Sequence, residues 1–393
     1  MRVADISEFF SDFGGGVRTY VHQKLEAAAK AGITMTIIAP GPADRRESRL
    51  GGEIVWVRSP VLPFDHRYHL FARKKPVHAI LDELQPDVIE GSSTWRGAWI
   101  ARGWAGNARR ALFLHQDPVA VYPQSFLSPA LKAERVDQLF AGFWRYLAKL
   151  SAGFDLTVAP SAVFARRLER LGVARAAACP LGVDRALFGP ERRNDGLRLK
   201  MLAACGVSDP AAPLFVAVSR HHPEKRLPMM MRAFAAFSIA RPAALYLIGD
   251  GPLWRSVAAQ AKKIRGVAVA GPVTDRGLIA AKLASADYFV HGGAAETFGL
   301  VVAEALASGV PIVAPDLGGA SEFVHPAWGE AYRAGDAAAL GAALTRIVAR
   351  DRRALALAAR AGGRHISAPG DHFGKLFSIY AALANDRRDR AAA

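Results

Sequence analysis

Short apolar runs alternate along the chain with longer stretches in which apolar positions return every three or four residues. The first pattern predicts strands buried on both faces, and the second predicts amphipathic helices. In the first half the runs place strands at residues 2–6, 34–39, 54–57, 87–90, 111–114 and 156–159. Helical periodicity falls between them at 17–31, 77–84, 95–104, 131–150 and 162–171. The segment Cys179-Pro-Leu-Gly-Val-Asp-Arg-Ala-Leu-Phe-Gly-Pro190 carries two prolines and two glycines and reads as a linker. The alternation then restarts, with strands at 214–218, 245–248, 267–270, 288–290 and 311–314. Helices follow at 227–240, 253–263, 276–284, 299–308, 337–348, 352–360 and 373–383. Strand–helix alternation of this kind predicts an α/β protein with parallel sheets and crossover helices. The expected division is residues 1–188, residues 189–370, and a last helix with its tail over 371–393.

Composition fits that picture. At 393 residues and 51% hydrophobic content, the chain has material for two cores. Only Cys179 and Cys205 are present, with no metal-ligand spacing, which suits a reducing cytoplasm. The start reads as a first core strand rather than a signal peptide, and no apolar run nears the ~20 residues that span a bilayer. The expectation is a cytoplasmic protein, soluble or peripheral on the inner membrane face. Lys and Arg outnumber Asp and Glu by 51 to 35, a net charge of +16. That balance admits nucleic acid, an anionic membrane surface or a phosphorylated substrate as partner. No nucleic-acid-binding signature accompanies it, and the basic residues are dispersed, so nucleic acid is not expected.

Candidate chemistry gathers where strands hand over to helices, since ligands of open α/β sheets bind at the carboxyl ends of strands. In His291-Gly-Gly-Ala-Ala-Glu-Thr-Phe-Gly-Leu-Val-Val-Ala-Glu304, Glu296 lies in the turn and Glu304 on the helix. Carboxylates accept hydrogen bonds from sugar hydroxyls, and the N–H groups of Phe298, Gly299 and Leu300 open a helix that favours an anion. A sugar joined to phosphate satisfies both. The turn Ser219-Arg-His-His-Pro-Glu-Lys-Arg226 sets Arg220 and Lys225 before a helix, as a diphosphate clamp or as a solvated basic turn. The loop Phe13-Gly-Gly-Gly-Val-Arg-Thr-Tyr20 follows the first strand. Gly15 and Gly16 there allow close approach of a phosphate, or simply a flexible loop. His115 ends an apolar strand and suits either a sugar contact or a structural histidine; Asp117 beside it is the weaker candidate. No Asp-x-Asp pair occurs, and no oxygen ligands cluster for a hard cation, so metal-independent chemistry without a cofactor is expected.

Taken together, these residues resemble the retaining glycosyltransferases of family 4. The Glu-x7-Glu motif is matched by Glu296 and Glu304. The early glycines, His115, Pro160-Ser161, Pro180-Leu-Gly-Val-Asp184 with Phe188, Arg220 and Lys225, Gly249-Asp-Gly-Pro252, and Pro311-Ile-Val-Ala with Gly318-Gly319 follow in order. Departures are Ser219 before Arg220, the pair His221-His222, and Leu181 in the linker. The resemblance implies the GT-B fold: two doubly wound Rossmann-like domains facing an interdomain cleft, with a C-terminal helix crossing back to the first. It implies a nucleotide-diphosphate sugar in the second domain, with Glu304 on the ribose and Glu296 by the sugar. Arg220 and Lys225 would then neutralise the diphosphate, Gly16 would lie near it, and His115 would contact the sugar. The expected reaction moves a hexose, from a UDP-sugar in preference to GDP-mannose, to a hydroxyl of a lipid-linked or glycan acceptor. The alternatives are a sugar-nucleotide epimerase of similar shape and, on charge alone, a non-catalytic basic nucleic-acid binder.

Two segments of the first domain mix aromatic and basic residues: Pro63-Phe-Asp-His-Arg-Tyr-His-Leu-Phe-Ala-Arg-Lys-Lys75 and Leu139-Phe-Ala-Gly-Phe-Trp-Arg-Tyr-Leu-Ala-Lys149. Basic amphipathic surfaces suit anionic lipid heads. The first is expected to face a membrane, whereas Phe143 and Leu147 of the second read as core.

Overall fold

A computed structural model describes residues 1–12, 16–63, 65–127 and 131–392, the last six as backbone only. Gly15 of the glycine loop therefore lies outside the described residues. The chain forms two units: Met1–His115, Leu139–Pro180 and Pro369–Ala393 make the first, and Gln116–Gln138 with Leu181–Ala368 make the second.

The first unit is built on β1 (Arg2–Ile6), β2 (Thr34–Gly41), β3 (Arg45–Arg49) and β4 (Gly52–Arg58). A small hairpin of β5 (Val61–Leu62) and β6 (Asp65–His69) follows, then β7 (Val88–Gly91), β8 (Arg109–Phe113), β9 (Leu156–Ala159) and β10 (Ala176–Ala178). Eight of these form one sheet in the order β10-β9-β8-β7-β1-β2-β4-β3, parallel except for the antiparallel edge strand β3. That edge strand, Arg-Arg-Glu-Ser-Arg, has no apolar signal; charge on an edge is how sheets avoid pairing with another chain. Ile6, Ile37, Ile38, Val88 and Ile89 are buried without exposure. The single helix expected at 131–150 is two helices, Ala133–Leu139 and Ala141–Ser151. Phe140 leaves helical geometry at φ −98°, ψ 22°, and its carbonyl accepts the N–H groups of Phe143 and Trp144, starting the second helix afresh. The last helix, Pro369–Ala392, belongs to the first unit and buries Phe373, Leu376, Phe377 and Tyr380.

The second unit carries β11 (Leu214–Val218), β12 (Ala244–Ile248), β13 (Val267–Val269), β14 (Tyr288–Val290), β15 (Ile312–Pro315) and β16 (Gly329–Tyr332). They form a wholly parallel sheet, β13-β12-β11-β14-β15-β16. Alternate side chains along each strand feed opposite faces. Leu214, Val216, Phe289 and Ile312 enter one core, and Phe215, Ala217, Tyr288, Val290 and Val313 the other. Side-chain caps start its helices: Asn194 accepts from the N–H of Leu197, and Asp275 from those of Gly277 and Leu278. The Asn194 cap begins a helix at Asp195–Ala204 that the apolar pattern did not reveal. Among the described residues no helix is long and apolar enough to cross a membrane.

Candidate functional site

In the second sheet, strand order runs outward in one direction from β11 through β12 to β13, and in the other from β14 through β15 to β16. Chain connections diverge between β11 and β14, and a crevice opens at the carboxyl ends of the strands flanking such a reversal. The turn after β11 and the turn after β14 both lie there. Lys225, from the first, places Nζ 2.5 Å from Oε1 of Glu296, from the second. His291 Nε2 stands 3.3 Å from the same oxygen, and Glu224 Oε1 is 3.4 Å from Lys225 Nζ.

The loops that hold this pair are packed too closely for ordinary side chains. Gly299 adopts φ +89°, and a Cβ there would sit 2.8 Å from the Cα of Ala320. Gly318 adopts φ +78°, and its Cβ would meet the carbonyl oxygen of Ala294 at 2.3 Å. Gly319 donates its N–H to the carbonyl of Glu296 at 2.6 Å, fixing the backbone that carries the carboxylate. The helix Leu300–Ala307 starts directly after Gly299, and its first N–H groups have no acceptor within the helix. Phe298 is buried against Phe323, whereas Leu300 is exposed.

Burial alone would push the Glu296 carboxyl up. The Lys225 ammonium and His291 overcome this and hold it well below the usual carboxylate range. Desolvation likewise opposes charge on Lys225, yet Glu296 and Glu224 raise its pKa, so the pair is ionised. Arg220 is largely exposed, with 73% of its side chain open, and meets Glu224 at 3.4 Å. Burial lowers the pKa of both His221 and His222, and His221 stacks on Trp254. Glu304 is nearly buried; burial raises its pKa against the pull of Arg276, whose Nη2 lies 2.8 Å away.

The structure thus brings Lys225 and Glu296 into contact, links Arg220 to them through Glu224, and gives Glu304 a separate partner in Arg276. His115 and Gly16 belong to the first unit. His115 stacks on Phe113 at 4.1 Å and meets the edge of Tyr20 at 4.8 Å. Burial lowers its pKa to about 4, so it is neutral at physiological pH. Gly16 opens the helix Gly16–Lys30, and a Cβ there would meet nothing within 4 Å. Glu224, His291 and Arg276 are contacts that sequence reasoning missed. His291 is the first residue beyond β14, the same strand-end position that singled out His115. Among the described residues no group of three or more His, Cys, Asp or Glu comes together as a metal site.

The sequence pattern of Glycosyltransferase Family 4 matches residues 14–187, and that of Glycosyl transferases group 1 matches residues 212–350. A GDP-mannose-dependent alpha-mannosyltransferase of Mycobacterium tuberculosis (strain CDC 1551 / Oshkosh) is 30% identical over 330 residues, covering 83% of this chain and 82% of its own. A GDP-mannose-dependent alpha-(1-6)-phosphatidylinositol dimannoside mannosyltransferase of Mycobacterium tuberculosis (strain H37Ra) is 27% identical over 328 residues, 82% of each chain. Among solved structures, sucrose-phosphate synthase from Thermosynechococcus elongatus shares the fold with a TM-score of 0.73 at 21% identity, over 97% of this chain and 98% of that one. With both patterns in chain order on two parallel-sheet units of the GT-B type, this chain belongs to the family 4 glycosyltransferases and is an enzyme that transfers a glycosyl group.

Proposed function

We propose that the enzyme transfers mannose from GDP-mannose, with retention, to a hydroxyl of a phosphatidylinositol-type lipid acceptor at a membrane face. GDP-mannose replaces the UDP-sugar favoured on sequence grounds, because both mycobacterial relatives are named for it and no motif in the chain selects a base. The observation that carries the reading is that the Lys225–Glu296 pair at the β11/β14 reversal stays open, with 15% and 20% of its side chains exposed. Breaking the anomeric C–O bond leaves negative charge on the diphosphate, and preorganised cations and N–H groups stabilise it. Lys225, Arg220 and the start of the helix Leu300–Ala307 supply that charge. As phosphate oxygens engage Lys225, Glu296 is released from part of its ion pair towards the sugar hydroxyls. Glu304, oriented by Arg276, takes the ribose hydroxyls. The first unit offers His115, a neutral imidazole able to hydrogen-bond a hydroxyl, and Gly16, which leaves backbone open to close approach. The acceptor oxygen forms the new bond on the face that the leaving group vacates, and its proton passes to the departing phosphate oxygen. No metal takes part in this scheme.

The test is a panel of GDP-mannose, UDP-glucose and ADP-glucose, read by thermal shift and by label transfer into extractable lipid. GDP-mannose at a hundred times its Kd is expected to stabilise the fold by about 2.7 kcal/mol and to support transfer. Stabilisation by a UDP-sugar alone would refute the donor assignment.

A further inference from the structure

The first unit carries an open groove of about 540 Å³, lined by Lys74, Trp95, Arg96, Trp99, Ile100 and Tyr146. Three helices meet there: Lys74–Leu84, Arg96–Gly103 and Ala141–Ser151. Its wall is aromatic and internally braced. Trp99 Nε1 donates to the Tyr146 hydroxyl at 2.8 Å, and that hydroxyl donates to the carbonyl of Thr94 at 2.8 Å. Phe143, half-buried, supports Trp95 and Tyr146 from behind, with ring centroids 6.1 and 6.0 Å away. The polar atoms of Trp99 and Tyr146 are thus bonded within the wall, and the surface it turns to the groove is mostly hydrocarbon. Trp95 nevertheless remains 44% exposed, an area that water solvates poorly.

The rim is cationic. Arg73, Lys74 and Lys75 open the first helix; Arg73 offers no side-chain cap, and no acid lies in the first turn. Positive side chains at a helix N-terminus oppose the helix dipole, an arrangement that an anion relieves. Arg96 is anchored at the same rim by donating to the carbonyl of Ala72 at 2.6 Å. A ligand that satisfies this groove carries an anionic head for the rim and an apolar body for the wall. A phospholipid has both, and an amphipathic Trp at a water–lipid boundary is suited to holding one.

We infer that this groove seats the anionic phospholipid acceptor in its bilayer, with the phosphate at Lys74 and Arg96 and the hydrocarbon next to the headgroup against Trp95. The identification of that lipid as acceptor rests on the function proposed above. The test is flotation with vesicles of phosphatidylcholine alone or with added phosphatidylinositol. It uses the whole chain, Trp95→Ala, and Lys74→Glu, both at exposed positions. The wild type is expected to float with phosphatidylinositol vesicles and to be released by salt. Each variant should bind about tenfold more weakly, with a matching rise in KM for the lipid acceptor. Both variants should keep the wild-type thermal shift with GDP-mannose. Variants that float like the wild type, or an oligonucleotide that displaces the vesicles, would overturn the assignment. Loss of the GDP-mannose shift in the wild type, with flotation still dependent on Trp95, would sink the donor reading and leave the groove standing.

Discussion

Each of the two sheets has a point where its strand order reverses, and the charges at the two points are handled in opposite ways. In the first sheet the reversal lies between β1 and β7. Asp5 and Glu90 stand on those strands, and Lys24 reaches both. Ser92 Oγ lies 2.6 Å from both Asp5 Oδ1 and Glu90 Oε1 and shares its one proton between them, and the Tyr380 hydroxyl donates to Glu90. All three charged side chains are at most 1% exposed. In the second sheet the Lys225–Glu296 pair leaves 15% and 20% of its side chains open, with Arg220 outside it. A lysine and carboxylates at a strand reversal are thus no guide to function by themselves. Where helices Gly16–Lys30 and Pro369–Ala392 close over them, they lock the fold. Where the loops leave them accessible, they are available to a ligand.

The largest effects should separate the two clusters cleanly. Glu296→Gln removes the carboxylate but leaves Lys225 facing Glu224, so the fold is expected to survive while transfer drops by roughly 10³-fold. Lys24→Met leaves Asp5 and Glu90 buried without their cation and should destabilise the protein by about 3–5 kcal/mol in denaturant unfolding. Glu296→Gln with near-normal turnover, or Lys24→Met with unchanged stability, would erase the distinction.

A smaller effect sharpens the same contrast through pH. Burial, then Glu90, raises the Asp5 pKa from its ordinary 3.8 to about 6, against the pull of Lys24. The folded state then holds a proton that the unfolded state loses, so the contribution of Asp5 falls as pH rises from about 4 to 6. Glu296 is shifted the other way, despite its burial. Its contribution is fully present above 4.5 and is lost as pH falls further. Unfolding free energies from pH 3 to 7 should therefore show Asp5→Asn gaining on the wild type between about pH 4 and 6. Glu296→Gln should lose ground as pH climbs from acid towards 4.5. Parallel curves for the two variants would contradict the assigned environments.

Most of the second unit was legible because its strands are apolar on both faces, and its chemistry sits in the turns that follow them. The strands at 214–218 and 288–290 and the helix at 276–284 coincide with the observed elements. What sequence could not show was pairing across the reversal. Lys225 and Glu296 are 71 residues apart, and only the β11/β14 neighbourhood joins them. The buried cluster was invisible for a related reason. Asp5 and Glu90 lie inside runs that read as plain core strands, and the order of the sheet alone makes them neighbours. The groove at Trp95 escaped because its residues come from three helices, one of them placed wrongly as part of a single long helix at 131–150. The charged edge strand β3 escaped because it carries no apolar alternation at all.

The mildest prediction tests whether openness itself matters. Arg220 is the most exposed cation of the second cluster and is tied to Glu224 only at 3.4 Å. An exposed pair of this kind contributes about 1 kcal/mol or less, and salt screens it. Arg220→Ala should therefore leave unfolding unchanged while raising the donor KM by about three- to tenfold. That gap should narrow as ionic strength rises, since water and counterions reach this side chain freely. A loss as deep as that of Glu296→Gln, insensitive to salt, would mean that the Arg220 side chain becomes enclosed when donor binds. The second strand reversal would then be a site that closes over its charges, as the first already does.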